Sequence, residues 1–354
     1  MVNAFPRGPS PTAKVGPFTA VLVNGVFGDP LLHLRIADHK RSILVDLGEG
    51  IRLSARTAHQ VTDVFLSHAH IDHIAGFLSF LRSRIGKWPL CRVFGPPGIA
   101  ANIAGLVAGV LWDRVAERAP RFEVTEFDGT HCRRFSVLAG RAGCVPVASS
   151  ASPRGELIND DVMRVDAVLL DHKTPVLAFS FNTNITLKVR KERLLNMGLR
   201  PGPWLTRLKD AVARDSRDVG IVLPNGKEVS ARVLANELLL ELPGEKLVYA
   251  TDFADTPENR HAVIALAAGA HTFFCEAPFR ERDLDQAQRT GHLTTTACGE
   301  IASAAGVARL IPFHFSRRYE ADPLALYTEL QAACPATVVP DMGRVQSNEN
   351  ARRN

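Results

Sequence analysis

The sequence predicts a layered α/β fold in which several buried strands end along one edge loaded with ionisable residues. Two observations predict it. Short apolar runs of strand length recur, each stopping at a polar residue: Ser42–Val45 before Asp46, Val61–Leu66 before Ser67 and His68, and Asp166–Leu170 before Asp171 and His172. Two more are Lys246–Ala250 before Thr251 and Asp252, and Arg309–Phe313 before His314. Near-continuous apolar runs of four to six residues are what strands covered on both faces look like. Helix-like stretches separate some of these runs, and strands alternating with helices indicate layers packed on a sheet.

The chain opens with Pro6, Pro9 and Pro11 in a stretch, residues 1–17, that is expected to be loose. From Phe18 to Ile36 the apolar residues are interrupted by Asn24-Gly25, Gly28-Asp29-Pro30 and His33. Those are turn signals and suit a strand–turn–strand unit better than a membrane span. Helices are expected over Ile74–Ile85, over Gly98–Ala119 after a Gly-Pro-Pro-Gly turn, and from about Leu284 to Gly306, where Gly291 is a weak point. The polar tail at 347–354 is expected to fray. One folded body is therefore expected over 18–346.

Composition sets wide bounds. Hydrophobic content of 46% and charged content of 22% are globular values and exclude wholesale disorder. The six cysteines (Cys91, Cys132, Cys144, Cys275, Cys298, Cys334) form no CxxC pair, so they read as reduced thiols of a cytoplasmic protein. The first residues hold no continuous apolar core of a signal peptide, and no membrane partner is expected. The formal charge of +5 is too ordinary to specify a polyanionic partner, but its distribution is uneven. Lys188 to Arg217 carries nine Lys/Arg against three Asp/Glu, a net of +6, which leaves −1 for the rest of the chain. A basic projection on a near-neutral body suits a phosphate backbone met away from the active site. The plainer reading is a solvated helical hairpin.

The most informative segment is His68-Ala69-His70-Ile71-Asp72-His73, three histidines and an aspartate just past a buried strand and just before a helix. In an extended loop His68 and His70 point to the same side, and Asp72 and His73 lie on the turn into the helix. Neutral imidazole and carboxylate are the donors zinc takes at about 2.0–2.2 Å. His33, His39, His59, His131, His261 and His271 have no such setting and read as surface or core.

His68-Ala69-His70-Ile71-Asp72-His73 resembles the H-x-H-x-D-H signature of the metallo-β-lactamase superfamily, and further motifs follow in order. Asp46 in Asp46-Leu47-Gly48-Glu49-Gly50 resembles the aspartate that braces the metal loop. His172, Asp252 and His314 resemble the later metal ligands. The resemblance implies two Zn²⁺ per chain: His68, His70 and His172 on one, Asp72, His73 and His314 on the other, with Asp252 bridging. It implies a four-layer αββα sandwich with its site along one edge of two sheets.

Within that superfamily the ribonuclease Z family is the one resembled. Phe274-Cys275-Glu276-Ala277-Pro278-Phe279 is similar to its E-A-T-F element, Gly291-His292-Leu293-Thr294 to its G-H-S-T element, and His314-Phe315-Ser316-Arg317-Arg318-Tyr319 to its H-F-S-x-R-Y element. Leu199-Arg200-Pro201-Gly202-Pro203-Trp204 is similar to the motif of its tRNA-gripping arm. The resemblance implies an endonuclease that removes 3′ trailers from tRNA precursors, with catalytic roles for Asp72, His292 and Glu276. It places substrate contacts at Gly202 and Pro203 and implies a homodimer, and the basic stretch suggests further contacts at Lys188, Arg190, Lys191 and Arg193 on an inserted arm at 188–217. Departures at Ile71, Thr251 and Leu293 leave room for a related hydrolase acting on another phosphodiester, a cyclic nucleotide or a sulfate ester. A non-catalytic nucleic-acid-binding relative is the other alternative, and a chain that retains all seven donors speaks against it.

Overall fold

The computed structural model describes residues 10–340 except 38, 51–52, 87, 116–117 and 184–185. The expected frayed tail at 347–354 and the first nine residues lie outside the described residues. Two compact units divide the chain: one comprises residues up to Asn182 and from Lys246 onward, the other Thr183–Glu245.

The larger unit carries two sheets. The first has nine strands in chain order: β1 (Thr12–Val15), β2 (Phe18–Leu22), β3 (Leu32–Ile36), β4 (Ser42–Val45), β5 (Val61–Phe65), β6 (Cys91–Gly95), β7 (Arg121–Phe127), β8 (His131–Leu138) and β9 (Val145–Ala151). Pairing is antiparallel from β1 to β4, parallel from β4 to β7, and antiparallel again to β9. The second sheet contains β10 (Glu156–Asn159), β11 (Met163–Asp171) and β12 (Pro175–Thr183). After β13 (Thr186–Val189), β14 (Gly220–Val222), β15 (Glu228–Ser230) and β16 (Leu239–Leu242), which belong to the smaller unit, it resumes with β17 (Lys246–Ala250), β18 (Thr272–Glu276) and β19 (Leu310–Phe313). Its order is β10-β11-β12-β17-β18-β19, with β17, β18 and β19 parallel.

Each parallel step needs a crossover, and helices supply it. Ala55–Gln60 links β4 to β5, Ile99–Ala108 lies between β6 and β7, and Pro257–Ala267 links β17 to β18. Alternation along the central strands explains the layers. Ile43, Val45, Phe65 and Phe94 face one core, which also holds Phe179, Phe181 and Tyr249 of the second sheet. Leu44, Val64, Leu66 and Val93 face another, with Phe77, Phe80, Ile99 and Ile103 of the helices. Phe65 meets Phe179 and Phe181 edge-on across the inner core, with ring centroids 5.3 and 5.1 Å apart. Such pairs contribute about 0.5–1.5 kcal/mol beyond their burial. This is the αββα sandwich, sheet against sheet with helices outside.

Several boundaries differ from the sequence expectation for identifiable reasons. Strand β1 falls within the stretch expected to be loose, because buried Ala13 and Val15 alternate with exposed Thr12 and Lys14 and the strand pairs with β2. The helix expected over Ile74–Ile85 is two pieces, Ile71–Ile74 and Phe77–Ser83. Gly76 lies at the break, its N–H bonded to the Leu47 carbonyl at 2.8 Å. A Cβ there would fall 2.1 Å from the Gly48 carbonyl oxygen. The helix expected over Gly98–Ala119 ends at Ala108, capped by Gly109. The third is split into Leu284–Thr290 and Thr295–Ala304 by Gly291, whose φ of 75° is left-handed.

The smaller unit has its own core of Leu194, Leu199, Trp204, Leu208, Ile221, Leu234 and Leu238, among others. The basic segment 188–217 is embedded in this unit, since its apolar residues pack on Ile221, Leu234 and Leu238 further along the chain. Over Thr183–Glu245 eleven Lys/Arg stand against eight Asp/Glu, a net of +3, because the acids lie mainly in the second half. No helix among the described residues is long and apolar enough to cross a membrane.

Candidate metal centre

The strand ends build the site. In the second sheet Ala250, Cys275 and Pro312 are register partners, so Asp252, two residues past the first, lies level with His314, two past the last. Val45 pairs with Phe65 in the first sheet, which brings Asp46 beside the start of the His68–His73 loop. Asp46, Asp252 and His314 all hold left-handed backbone, with φ of 56°, 52° and 60°. Each such conformation costs on the order of 1–3 kcal/mol, and the strain gathers where chains turn out of the sheets into the site.

Two donor sets converge on Asp252. His68, His70, His172 and Asp252 each offer an atom within 4.8 Å of the others, and so do Asp72, His73, Asp252 and His314. One Asp252 oxygen, Oδ2, lies 3.6 Å from His68 Nε2, 3.7 Å from His172 Nε2 and 3.2 Å from His73 Nε2. The other, Oδ1, is 3.1 Å from His314 Nδ1. Asp72 Oδ2 is 3.5 Å from His73 Nε2 and 3.4 Å from His314 Nε2. Donors arranged tetrahedrally about zinc at its usual bond lengths sit roughly 3.3 Å apart, so the spacing fits.

The burial fits as well. His68 Nε2, His73 Nε2 and His314 Nδ1 are buried without a hydrogen-bond partner, and an orphaned buried polar atom costs about 1–3 kcal/mol. A cation between them removes that penalty. Burial, reinforced by neighbouring His73, pushes the His68 imidazole down to about 3, leaving it in the neutral form that binds metal. Burial should lower His73 and His314 too, but Asp252 and the other carboxylates raise both well above an ordinary histidine. The cluster has more buried negative charge than its fixed groups balance, and a metal cation answers that demand as protons do.

Asp46 organises the loop from below. It accepts from the Ser67 N–H at 2.7 Å, from the Ser67 hydroxyl at 2.9 Å, from His73 Nδ1 at 2.9 Å and from the Tyr249 hydroxyl at 2.7 Å. His172 Nδ1 bonds the Gly291 carbonyl at 2.7 Å. Bonds of this kind fix each ring so that its other nitrogen faces the metal. The sequence marks Ser67 and Gly291 only as a strand end and a helix break, and it gives Tyr249 no role. Tyr249, the one hydroxyl in an otherwise apolar strand end, carried a usable signal. Asp46→Ala should weaken metal retention about 10- to 100-fold, measured by competition with a chelator; unchanged retention would refute the bracing role.

The sequence profile of the metallo-beta-lactamase superfamily matches residues 29–101, which include the His68–His73 loop. A protein named ribonuclease Z from Deinococcus radiodurans is 34% identical over 300 residues, spanning 83% of this chain and 88% of that protein. The chain belongs to the ribonuclease Z family. Another ribonuclease Z, from Methanothermobacter thermautotrophicus, is 26% identical over 86% of both chains. Among solved structures, the metallo-beta-lactamase fold protein YhfI from Bacillus subtilis aligns with a TM-score of 0.54 at 15% identity, covering 91% of this chain and 95% of its own, a likeness of fold.

Glu276 is fully buried at the end of β18, and its Oε2 accepts from His292 Nδ1 at 2.8 Å. Burial would lower His292, yet the Glu276 carboxylate raises it above the ordinary imidazole value. Its Nε2 makes no hydrogen bond within the described residues. His292 lies in the loop between two helices, not at a helix start, because Gly291 and the capping Thr294 bracket it. The departing residues are accommodated: Leu293 is fully buried, Thr251 bonds Asp252 at 2.7 Å, and Ile71 stands 76% exposed between His70 and Asp72. His33, His39, His59, His131, His261 and His271 join no metal-competent group among the described residues.

The arm residues belong to the smaller unit. Lys188 lies on β13, and Lys191 and Arg193 on the helix Lys191–Asn196, which Arg190 caps. Arg193 is committed to an ion pair with Glu237 at 2.8 Å. Gly202 and Pro203 open the helix Pro203–Ala213 and line a cavity of about 370 Å³ with Arg200, Trp204 and Arg207. Arg200 and Arg207 make no ion pair among the described residues. They are the cations that counting charge along the segment did not distinguish.

Proposed function

We propose that the protein is a two-zinc endoribonuclease that removes 3′ trailers from tRNA precursors. The observation that carries this reading is the convergence of seven donors from strand ends of the two sheets, with the His292–Glu276 pair beside them, in a chain of the ribonuclease Z family. His68, His70 and His172 would hold one ion, Asp72, His73 and His314 the other, and Asp252 would bridge them. Zinc in such a site supplies a hydroxide near neutral pH, lowering the pKa of bound water from 15.7 towards about 7.

The protein groups do the rest. Asp72, 37% exposed at its side chain, is open to solvent and can orient the attacking oxygen. Glu276 fixes one nitrogen of His292 and favours its protonated form, so Nε2 can pass a proton to the leaving 3′-oxygen as the O3′–P bond breaks. The tRNA then ends in a 3′-hydroxyl and the trailer begins with a 5′-phosphate. The smaller unit, with Lys188, Arg190, Lys191, Gly202 and Pro203 and with Arg200 and Arg207, would grip the tRNA body. A cytoplasmic homodimer completes the reading. A different phosphodiester is the second reading, favoured by the exposed Ile71 beside the donors, where the family pattern has glycine.

The test is incubation of the metal-loaded protein with an unprocessed tRNA precursor, followed by mapping of both new ends. One cut at the trailer junction, leaving a 3′-hydroxyl and a 5′-phosphate, is expected, with about two zinc per chain by elemental analysis. No cleavage of the precursor by protein that still hydrolyses bis(p-nitrophenyl) phosphate would favour the second reading.

A further inference from the structure

A cleft of about 220 Å³ opens beside the donors and is lined by Phe27, Gly28, Asp29, His292, His314 and Arg317, among others. Asp29 and Arg317 are charged, lie outside both donor sets, and make no side-chain hydrogen bond or ion pair among the described residues. Arg318, the next residue, differs: it stacks on Phe279 and pairs with Asp283.

Asp29 is rigidly placed although its carboxylate is uncommitted. The Phe315 N–H donates to the Val26 carbonyl, the Gly48 N–H to the Pro30 carbonyl, and the Asn24 side-chain amide to the Asp29 carbonyl, each at 2.9 Å. Close approach makes the loop tighter still. A Cβ on Gly48 would fall 2.6 Å from the Asp29 Cβ, and one on Gly28 would fall 2.4 Å from the Asn24 carbonyl oxygen. The loop therefore holds the Asp29 backbone and Cβ in place, with the carboxylate lining the cleft.

A carboxylate here repels a phosphate but accepts hydrogen bonds from a base. Single-stranded RNA exposes the Watson–Crick edges of its bases for such contacts. Guanine offers N1–H and N2–H side by side, matching two carboxylate oxygens; cytosine and adenine offer one amino group each. Uracil offers a single imino donor between two acceptors, which a carboxylate repels. The guanidinium of Arg317, which also lines the cleft, suits a phosphate oxygen pair.

We propose that Asp29 is a specificity determinant that reads the base of a nucleotide flanking the cleaved bond, with guanine as its preferred partner, while Arg317 holds an adjoining phosphate. The proposal rests on the ribonuclease reading above.

The experiment uses the full chain loaded with zinc and a set of precursor RNAs that differ only in the nucleotide on either side of the cut. The readout is the ratio of kcat/KM between bases within one preparation, which cancels differences in the active fraction. The unaltered protein should favour guanine over uracil at one of the two positions by about tenfold or more. Asp29→Asn should bring that ratio within about twofold, and Arg317→Ala should lower kcat/KM alike for every base. Asp29→Ser, read the same way, replaces the asparagine variant should that one not fold. An unaltered protein indifferent to base, or an Asp29 variant with an unchanged ratio, overturns the proposal. Failure of the unaltered protein to cut any of these RNAs while it hydrolyses bis(p-nitrophenyl) phosphate would instead defeat the ribonuclease reading, and this inference with it.

Discussion

His292→Ala should keep its full metal content and lose about 10²–10⁴-fold in turnover on RNA, the range typical of a positioned proton donor. His70→Ala, by contrast, should lose metal and activity together. The comparison matters because the structure allows His292 a second role. Asp252, Glu276, His292 and His314 also bring donor atoms within 4.8 Å of one another, so His292 could be a ligand. Two features favour the acid. His292 Nδ1 is already engaged by Glu276, and the two sets His68/His70/His172/Asp252 and Asp72/His73/His314/Asp252 are complete without it. The leaving group separates the roles further. A ribose 3′-oxygen needs a proton as it departs, whereas p-nitrophenolate leaves unaided, so His292→Ala should impair RNA cleavage far more than hydrolysis of bis(p-nitrophenyl) phosphate. Equal damage to both substrates, with one metal equivalent missing, would make His292 a ligand and leave the acid unassigned.

Much of the site was legible because its donors sit where strands stop. Runs such as Lys246–Ala250 are apolar until the residue that turns out of the sheet, and that residue must be polar or strained. Asp252 and His314 are both. The sequence could not show what lies between the strands in space. Tyr249 and Asp46, 203 residues apart, meet in one hydrogen bond, and no local pattern marks either as the partner of the other. Helix lengths failed for a related reason. Gly76 falls inside the stretch expected to be one helix, but the close approach of Gly48 makes it a break. Asp29 left no signal beyond a turn, since its interest lies in having no partner. The basic segment shows the limit of counting charge. Its net of +6 was correct for 188–217, yet Arg193 and Arg217 are neutralised by Glu237 and Glu241 from beyond that stretch.

Excising the smaller unit should abolish most tRNA cleavage and spare small-ester hydrolysis. The chain geometry makes the excision feasible. Asn182 and Lys246 are register partners on adjacent antiparallel strands, so a short glycine turn can replace Thr183–Glu245. The unit also owns its core, and its removal takes no residue from the cores of the two large sheets. Lys188, Arg190, Lys191, Arg200, Arg207, Lys209 and Arg214 make no ion pair among the described residues and remain available to phosphates. Each phosphate neutralised contributes a slope of about −0.9 to the dependence of log affinity on log salt for a duplex. Losing several such contacts should reduce kcat/KM on a tRNA precursor by about 10²-fold or more at moderate salt, and flatten its salt dependence. Bis(p-nitrophenyl) phosphate, too small to reach beyond the metal centre, should be hydrolysed at nearly the original rate. Arg200→Glu with Arg207→Glu in the intact chain asks the same question without a deletion, and should show the same selective loss. Precursor cleavage that survives both changes with its salt slope intact would mean that the unit does not grip RNA, and that the cations near the cleft carry the whole of binding.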